Sequence, residues 1–196
     1  MRLGIFGGTF DPPHVGHLLA ASDAIEALSL DRLVLVPAAR QPLKTGVDVT
    51  PPAHRLEMTR LLADGDPRMT VDPIEIERDG LSFTVDTVAE YARRHPGDER
   101  WLLLGEDAVA LFPKWREPER VASLARIAVL ARGEGGAETA EAGRAIPATW
   151  LRTRRVDVSA TEVRERVRRG LSIRGFVTEA VAGYIERHRL YRQGIA

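Results

Sequence analysis

A doubly wound α/β sheet closed by C-terminal helices is the fold this sequence predicts. Short apolar runs alternate with stretches of helical periodicity along most of the chain. Strands separated by helices pair in parallel, through right-handed crossovers. No linker and no internal repeat interrupts the pattern. The 196 residues therefore read as one domain, 1–196, with a helical end part from about 157 to 196.

The elements follow in order. Residues 3–6, Leu-Gly-Ile-Phe, form a buried opening strand. Gly7, Gly8 and Thr9 turn the chain, and Pro12-Pro13 suit a helix entry. Residues 14–28 predict a helix, since Leu18, Ala21, Ile25 and Leu28 recur at spacings of three and four. Residues 32–36 form a second strand and 37–50 a loop. A helix follows over 52–63, with Leu56 and residues 58–62 on its buried side. Residues 69–76 predict a strand broken by Pro73. Beyond it come a helix at 84–94, a strand at 101–104, helices at 107–112 and 121–125, and a strand at 127–131. Residues 132–147, rich in Gly, Ala and Glu, predict a mobile loop. The last two helices lie at 159–169 and 178–188. Ser159 and Glu162 match a capping box, and Val177, Val181, Ile185 and Leu190 form the closing core stripe.

Composition narrows the function. There is no cysteine, which excludes disulfides, thiolate metal sites and a thiol nucleophile. The 28 basic and 28 acidic residues cancel, which argues against a general nucleic-acid or membrane-surface binder. Only Lys44 and Lys114 are lysines. Residues 1–6 are too short an apolar run for a secretory leader, and no run approaches the roughly 20 residues of a membrane span. The cytoplasm is the expected location. Oligomeric state is left open.

In a doubly wound sheet, ligands bind beyond the carboxyl ends of the strands. There the sequence reads Gly7-Gly8-Thr9-Phe10-Asp11-Pro12-Pro13-His14-Val15-Gly16-His17. It is neither a Walker loop nor G-x-G-x-x-G. Its physical content is nonetheless phosphate binding, because glycines admit a ligand to the backbone and a helix N-terminus offers N–H groups. His14 and His17 share a face of the first turn. Two other readings are a capped or solvated helix end, and a metal site of Asp11, His14 and His17.

The eleven-residue run, continued by Leu18, resembles the signature of the nucleotidyltransferase superfamily, whose fold is Rossmann-like. It resembles the bacterial nicotinate-nucleotide adenylyltransferases in particular. Three further segments are similar to that family in order and spacing: residues 81–87, Leu-Ser-Phe-Thr-Val-Asp-Thr; Gly105-Glu106-Asp107 with Leu111 and Trp115; and residues 158–164, Val-Ser-Ala-Thr-Glu-Val-Arg. Tyr184-Ile185 and Leu190-Tyr191 match its closing pattern. Two positions depart from it. Ala160 replaces a serine, and Gln41-Pro42-Leu43-Lys44 stands where the family often has Pro-Pro-His-Lys.

The resemblance implies transfer of the adenylyl group of ATP to nicotinate mononucleotide, giving deamido-NAD and pyrophosphate. The attacking phosphate, with a second pKa of roughly 6, is its own nucleophile near neutral pH, so alignment and charge neutralisation are what the protein supplies. The resemblance implies His14, His17, Lys44 and Arg164 as the catalytic set. It places ATP against Gly7, Gly8, Thr9, Phe10, Gly105, Asp107, Ser159 and Thr161, and the pyridine ring against Thr84 and Trp115. A nearby triphosphate favours the protonated form of both histidines, whose reference pKa is roughly 6.5. Magnesium is expected as a bridge between phosphates, with no dedicated protein cage.

Each residue keeps a plainer alternative. Ser159 caps its helix, Asp107 caps its own, Trp115 is core, and Arg164 is one of many arginines on a solvated face. Arg55 and Arg132 stay unassigned between phosphate contact and surface charge. The rival activities are a nicotinamide-mononucleotide or phosphopantetheine adenylyltransferase, a non-catalytic nucleotide sensor, and a phosphohydrolase built on Asp11, His14 and His17.

Overall fold

The computed structural model describes residues 1–42, 49–132 and 147–192, without the side chain of Arg132. Six parallel strands form its sheet: β1 (Arg2–Gly8), β2 (Arg32–Pro37), β3 (Met69–Val71), β4 (Glu99–Gly105), β5 (Arg126–Arg132) and β6 (Ala148–Thr153). Their spatial order is β3-β2-β1-β4-β5-β6. The chain winds outward from β1 to one edge, returns beside β1 as β4, and winds to the other edge. This is the doubly wound arrangement that the alternating pattern predicts.

The helices described are α1 (Val15–Ala27), α2 (Pro52–Ala63), α3 (Ile74–Arg78), α4 (Thr84–Arg94), α5 (Glu106–Leu111), α6 (Pro118–Leu124), α7 (Ala160–Arg168) and α8 (Glu179–Arg187). A 3-10 turn, Phe112–Lys114, extends α5. Side-chain alternation along the strands sorts the core into two layers. Phe6, Leu33, Leu35 and Leu103 face α1, α2 and the C-terminal helices. Ile5, Val34, Leu102 and Leu104 face α3 to α6. The predicted closing stripe lies in the first layer, with Val177, Val181 and Ile185 buried and Leu190 half-buried.

Two elements differ from expectation. Residues 69–76 are not one strand. β3 stops at Val71, and α3 begins at Ile74 after two intervening residues. The cause is local: the Asp72 carboxylate accepts the Ile74 N–H at 2.9 Å, and Pro73 sits at the helix entry. β6 was not expected at all. As an edge strand it buries only Leu151 and Thr153, so its apolar pattern is weak. The loop expected at 132–147 lies almost wholly outside the described residues.

Candidate active site

β1 and β4 are neighbours at the point where the winding changes direction, and two depressions flank their C-terminal ends. The larger, about 360 Å³, is lined among others by Gly7, Gly8, Ser82, Thr84, Asp107 and Trp115. The smaller, about 60 Å³, is lined by His14, Gly16, His17, Thr153 and Val158 among others. Gly105, at the end of β4, walls both. The sequence motifs that are far apart in the chain thus meet at one place.

The turn after β1 is rigidly built. Phe10 has a left-handed backbone with φ of 50°, and its ring is only 2% exposed. That ring lies edge-on to His17, centroids 5.0 Å apart. A Cβ on Gly8 would come within 2.9 Å of it, so the glycine is required by the packing. Phe10, expected at ATP, therefore offers a ligand only its backbone. The Thr9 hydroxyl is buried without a hydrogen-bond partner, which marks it as a polar group that a ligand can satisfy.

His14 and His17 stand together as expected. Their rings are 3.8 Å apart between centroids and tilted by 36°. His14 is buried and caps α1, and His17 is half-buried. The His14 N–H donates to His17 Nδ1 at 3.1 Å. A ring nitrogen that accepts carries no proton, so His17 presents Nε2–H as its donor. This ring can donate to an anion in its neutral form. A Cβ on Gly16 would lie 3.0 Å from His14 Nδ1, so glycine leaves room for that ring.

The C-terminal part closes on the same turn. Arg164 donates to the Asp11 carbonyl at 2.6 Å and to the Thr161 hydroxyl at 3.2 Å. Arg164 is therefore anchored at the site and is not one of the solvated arginines. Ser159 accepts the Glu162 N–H at 3.1 Å, as a helix cap should. Its own proton is still available to a phosphate. Val158, next to it, lines the smaller cavity with the histidines.

Trp115 and Thr84 line the same, larger cavity. Trp115 is half-buried against Phe112, ring centroids 5.2 Å apart, and is not sealed in the core. Thr84 opens α4 at the wall of the larger depression. Asp107 lines that same depression instead of the smaller one, and no side chain caps α5. Lys44 lies outside the described residues. Arg132 ends β5.

Arg55 is neither a phosphate contact nor a surface charge. It is 1% exposed and donates to four carbonyls, those of Thr9, Ala38, Ala39 and Thr50, at 2.6 to 3.0 Å. Burial lowers its pKa, an effect opposed by Asp11 and then Tyr191. The Asp11 carboxylate accepts the Thr50 N–H at 3.1 Å and the Tyr191 hydroxyl at 2.7 Å. Those bonds engage both of its oxygens. Among the described residues, no group of three His, Asp or Glu side chains is arranged to hold an ion.

Glu75 is the residue sequence reasoning missed; Asp11, Arg55 and Tyr191 were named there, but not as the groups that hold the turn after β1. For Arg55 a signal existed: it shares the buried stripe of α2 with Met58, Thr59 and Leu62, at spacings of three, four and seven. An arginine on an apolar stripe is a charge that must be paired.

Known proteins resemble this chain over nearly its whole length. The family model described as cytidylyltransferase-like matches residues 5–166. A protein of Gemmatimonas aurantiaca is 52% identical over 98% of this chain and 93% of its own length. One from Thermus thermophilus is 46% identical over 98% and 100%. Both are named "Probable nicotinate-nucleotide adenylyltransferase". Among solved structures, the Plasmodium falciparum nicotinic acid mononucleotide adenylyltransferase complexed with NaAD superposes with a TM-score of 0.78, covering 97% of each chain. At 18% identity it establishes the fold alone. Sequence, family model and fold converge, and the chain belongs to the cytidylyltransferase-like family and, within it, to the nicotinate-nucleotide adenylyltransferases.

Proposed function

We infer that this chain transfers the adenylyl group of ATP to nicotinate mononucleotide, giving deamido-NAD and pyrophosphate in NAD biosynthesis. The observation that carries this is the pair of cavities sharing Gly105, one walled by two histidines and the other by an aromatic side chain and a helix start. Relatives carrying this activity in their names span the full chain.

In this reading ATP phosphates approach the start of α1 and the smaller cavity, and the mononucleotide takes the larger one. His17 donates from Nε2 to the triphosphate, and His14 stands beside it. Arg164 and the start of α7 add charge and hydroxyl donors at Ser159 and Thr161. Lys44, outside the described residues, would supply the further positive charge that the family resemblance implies. Thr84 and Trp115 hold the pyridine ring, the indole by stacking. Asp107, on the larger cavity, accepts from ribose hydroxyls. The dianionic phosphate of the mononucleotide attacks the α-phosphorus, and pyrophosphate leaves. Preorganised donors stabilise the charge that develops on it.

Magnesium fits this site as an ion carried by phosphate oxygens and water. The Asp11 carboxylate is already occupied by Thr50 and Tyr191, and no acidic cage stands nearby among the described residues. When bound, it neutralises triphosphate charge. No helix described is long and apolar enough to cross a membrane. The cytoplasm is the compartment we propose for this activity.

Pyrophosphate release from ATP and magnesium tests the reading, with nicotinate and nicotinamide mononucleotides compared side by side. Release that depends on the nicotinate form, and favours it by at least about tenfold, is expected. Equal release would overturn the substrate, and silence with both would leave a nucleotide sensor.

A further inference from the structure

Tyr191, beyond α8, brings the chain back onto the turn after β1. Its ring packs against the core beside Met58 of α2, and its phenol donates to Asp11 Oδ1 at 2.7 Å. Asp11 is 5% exposed, and its other oxygen, Oδ2, accepts the Thr50 N–H at 3.1 Å. The backbone on both sides of this contact is uncommon. Phe10, directly before Asp11, has φ of 50°, and Arg189 and Tyr191 have φ of 52° and 61°. None of the three is glycine, so each conformation is costly and persists only where its surroundings hold it. Phe10 is held by its buried ring, and the bend after α8 delivers a phenol to a carboxylate.

Asp11 faces two ways. Its carboxylate is engaged by Tyr191 and Thr50, and its carbonyl accepts from Arg164 Nη1 at 2.6 Å. Arg164 Nη2 donates to Thr161 Oγ1 at 3.2 Å. A bond from each terminal nitrogen fixes the plane of the guanidinium and leaves its other N–H groups to a ligand. One of the two acceptors is the Asp11 carbonyl, which cannot turn without pulling on the bonds to Thr50 and Tyr191. The first half of the turn does not depend on them, because Arg55 holds the Thr9 carbonyl at 2.8 Å. Tyr191 therefore bears on the half of the turn that carries Arg164.

We propose that Tyr191 is a positioning residue for adenylyl transfer: its hydroxyl fixes Asp11, and the Asp11 carbonyl fixes the Arg164 guanidinium where the triphosphate meets it. This rests on the reading that Arg164 binds the triphosphate. Neutralising the charge that develops on a leaving group depends on where the donor stands, since preorganised donors act without moving. Loss of the phenolic hydroxyl keeps the ring and its packing, and frees the Asp11 peptide to turn. Arg164 is then present but less well aimed, so the loss appears in the chemical step and not in binding.

The test is a double-mutant cycle on pyrophosphate release with ATP, magnesium and nicotinate mononucleotide, each enzyme assayed well below its Tm. Tyr191→Phe should lower kcat about tenfold and leave KM for both substrates within about twofold. Arg164→Ala should lower kcat about 100-fold, and adding Y191F to it should lower kcat no further, within about twofold. A tether that serves stability alone would shift Tm and leave kcat of Y191F at the wild-type value, which overturns the proposal. Losses that multiply in the double variant overturn it as well, because Tyr191 then acts by a route other than Arg164. An R164A enzyme with wild-type kcat overturns the reading of Arg164 itself, an outcome distinct from a fall in R164A with none in Y191F.

Discussion

The turn after β1 is held from two sides, and the two holds differ in kind. Its first half is bolted by Arg55 of α2, a buried guanidinium that commits four donor contacts to carbonyls. Its second half is held by the C-terminal part, through Arg164 on the Asp11 carbonyl and Tyr191 on the Asp11 carboxylate. Arg164 is half-exposed and uses one carbonyl and one hydroxyl of this chain. A guanidinium carries five N–H donors. Arg55 has almost none left for substrate, whereas Arg164 has several. The same residue type therefore serves architecture in one region and keeps donors free for the proposed ligand in the other, and burial separates them.

Substitution should expose that division. Arg55→Ala is expected to have the largest effect, on stability. It strands buried carbonyls and removes the bolt, at a cost of about 3 kcal/mol or more, seen as a fall in Tm of roughly 10 °C. A small Tm change would show that water replaces the guanidinium. Arg164→Ala should lower kcat about 100-fold, equivalent to about 2.7 kcal/mol, while Tm moves by only about 1–2 °C. If R164A destabilises as much as R55A, the two arginines are alike and the contrast fails.

The smallest effect sharpens the comparison. Tyr191→Phe deletes only the hydroxyl that donates to Asp11, and should cost about 1 kcal/mol. Burial, with Asp11 beside it, raises the Tyr191 pKa, so the phenol stays protonated and keeps donating. The Y191F melting curve should therefore shift by the same amount at neutral and at mildly alkaline pH. A shift that vanishes on the alkaline side would mean the phenol ionises there.

The legible part of this molecule was its periodic part. α4 spans 84–94 as predicted, and α2 spans 52–63, because their apolar spacing and a proline at the entry of α2 point to one answer. β6 escaped because an edge strand with two buried side chains leaves a faint pattern. α3 escaped because five residues carry too little periodicity to compete with the β-branched run before them. At the site, His14, His17, Thr84 and Trp115 were visible because motif residues sit at fixed offsets. Asp11 stood inside the motif, yet its bonds to Thr50 and Tyr191 reach across 39 and 180 residues. No local spacing encodes a contact of that separation.

The sequence by itself determined the doubly wound class, the order of its main elements and the family. Those follow from short-range periodicity and from motifs whose residues act as neighbours. Tertiary structure alone decided which arginine is buried, which nitrogen of His17 accepts, and that Glu75 lies in the wall of the larger cavity. The reason is physical. Burial and hydrogen-bond direction depend on what other segments bring to a residue, and they change a charged side chain from a solvated group into a structural or functional one.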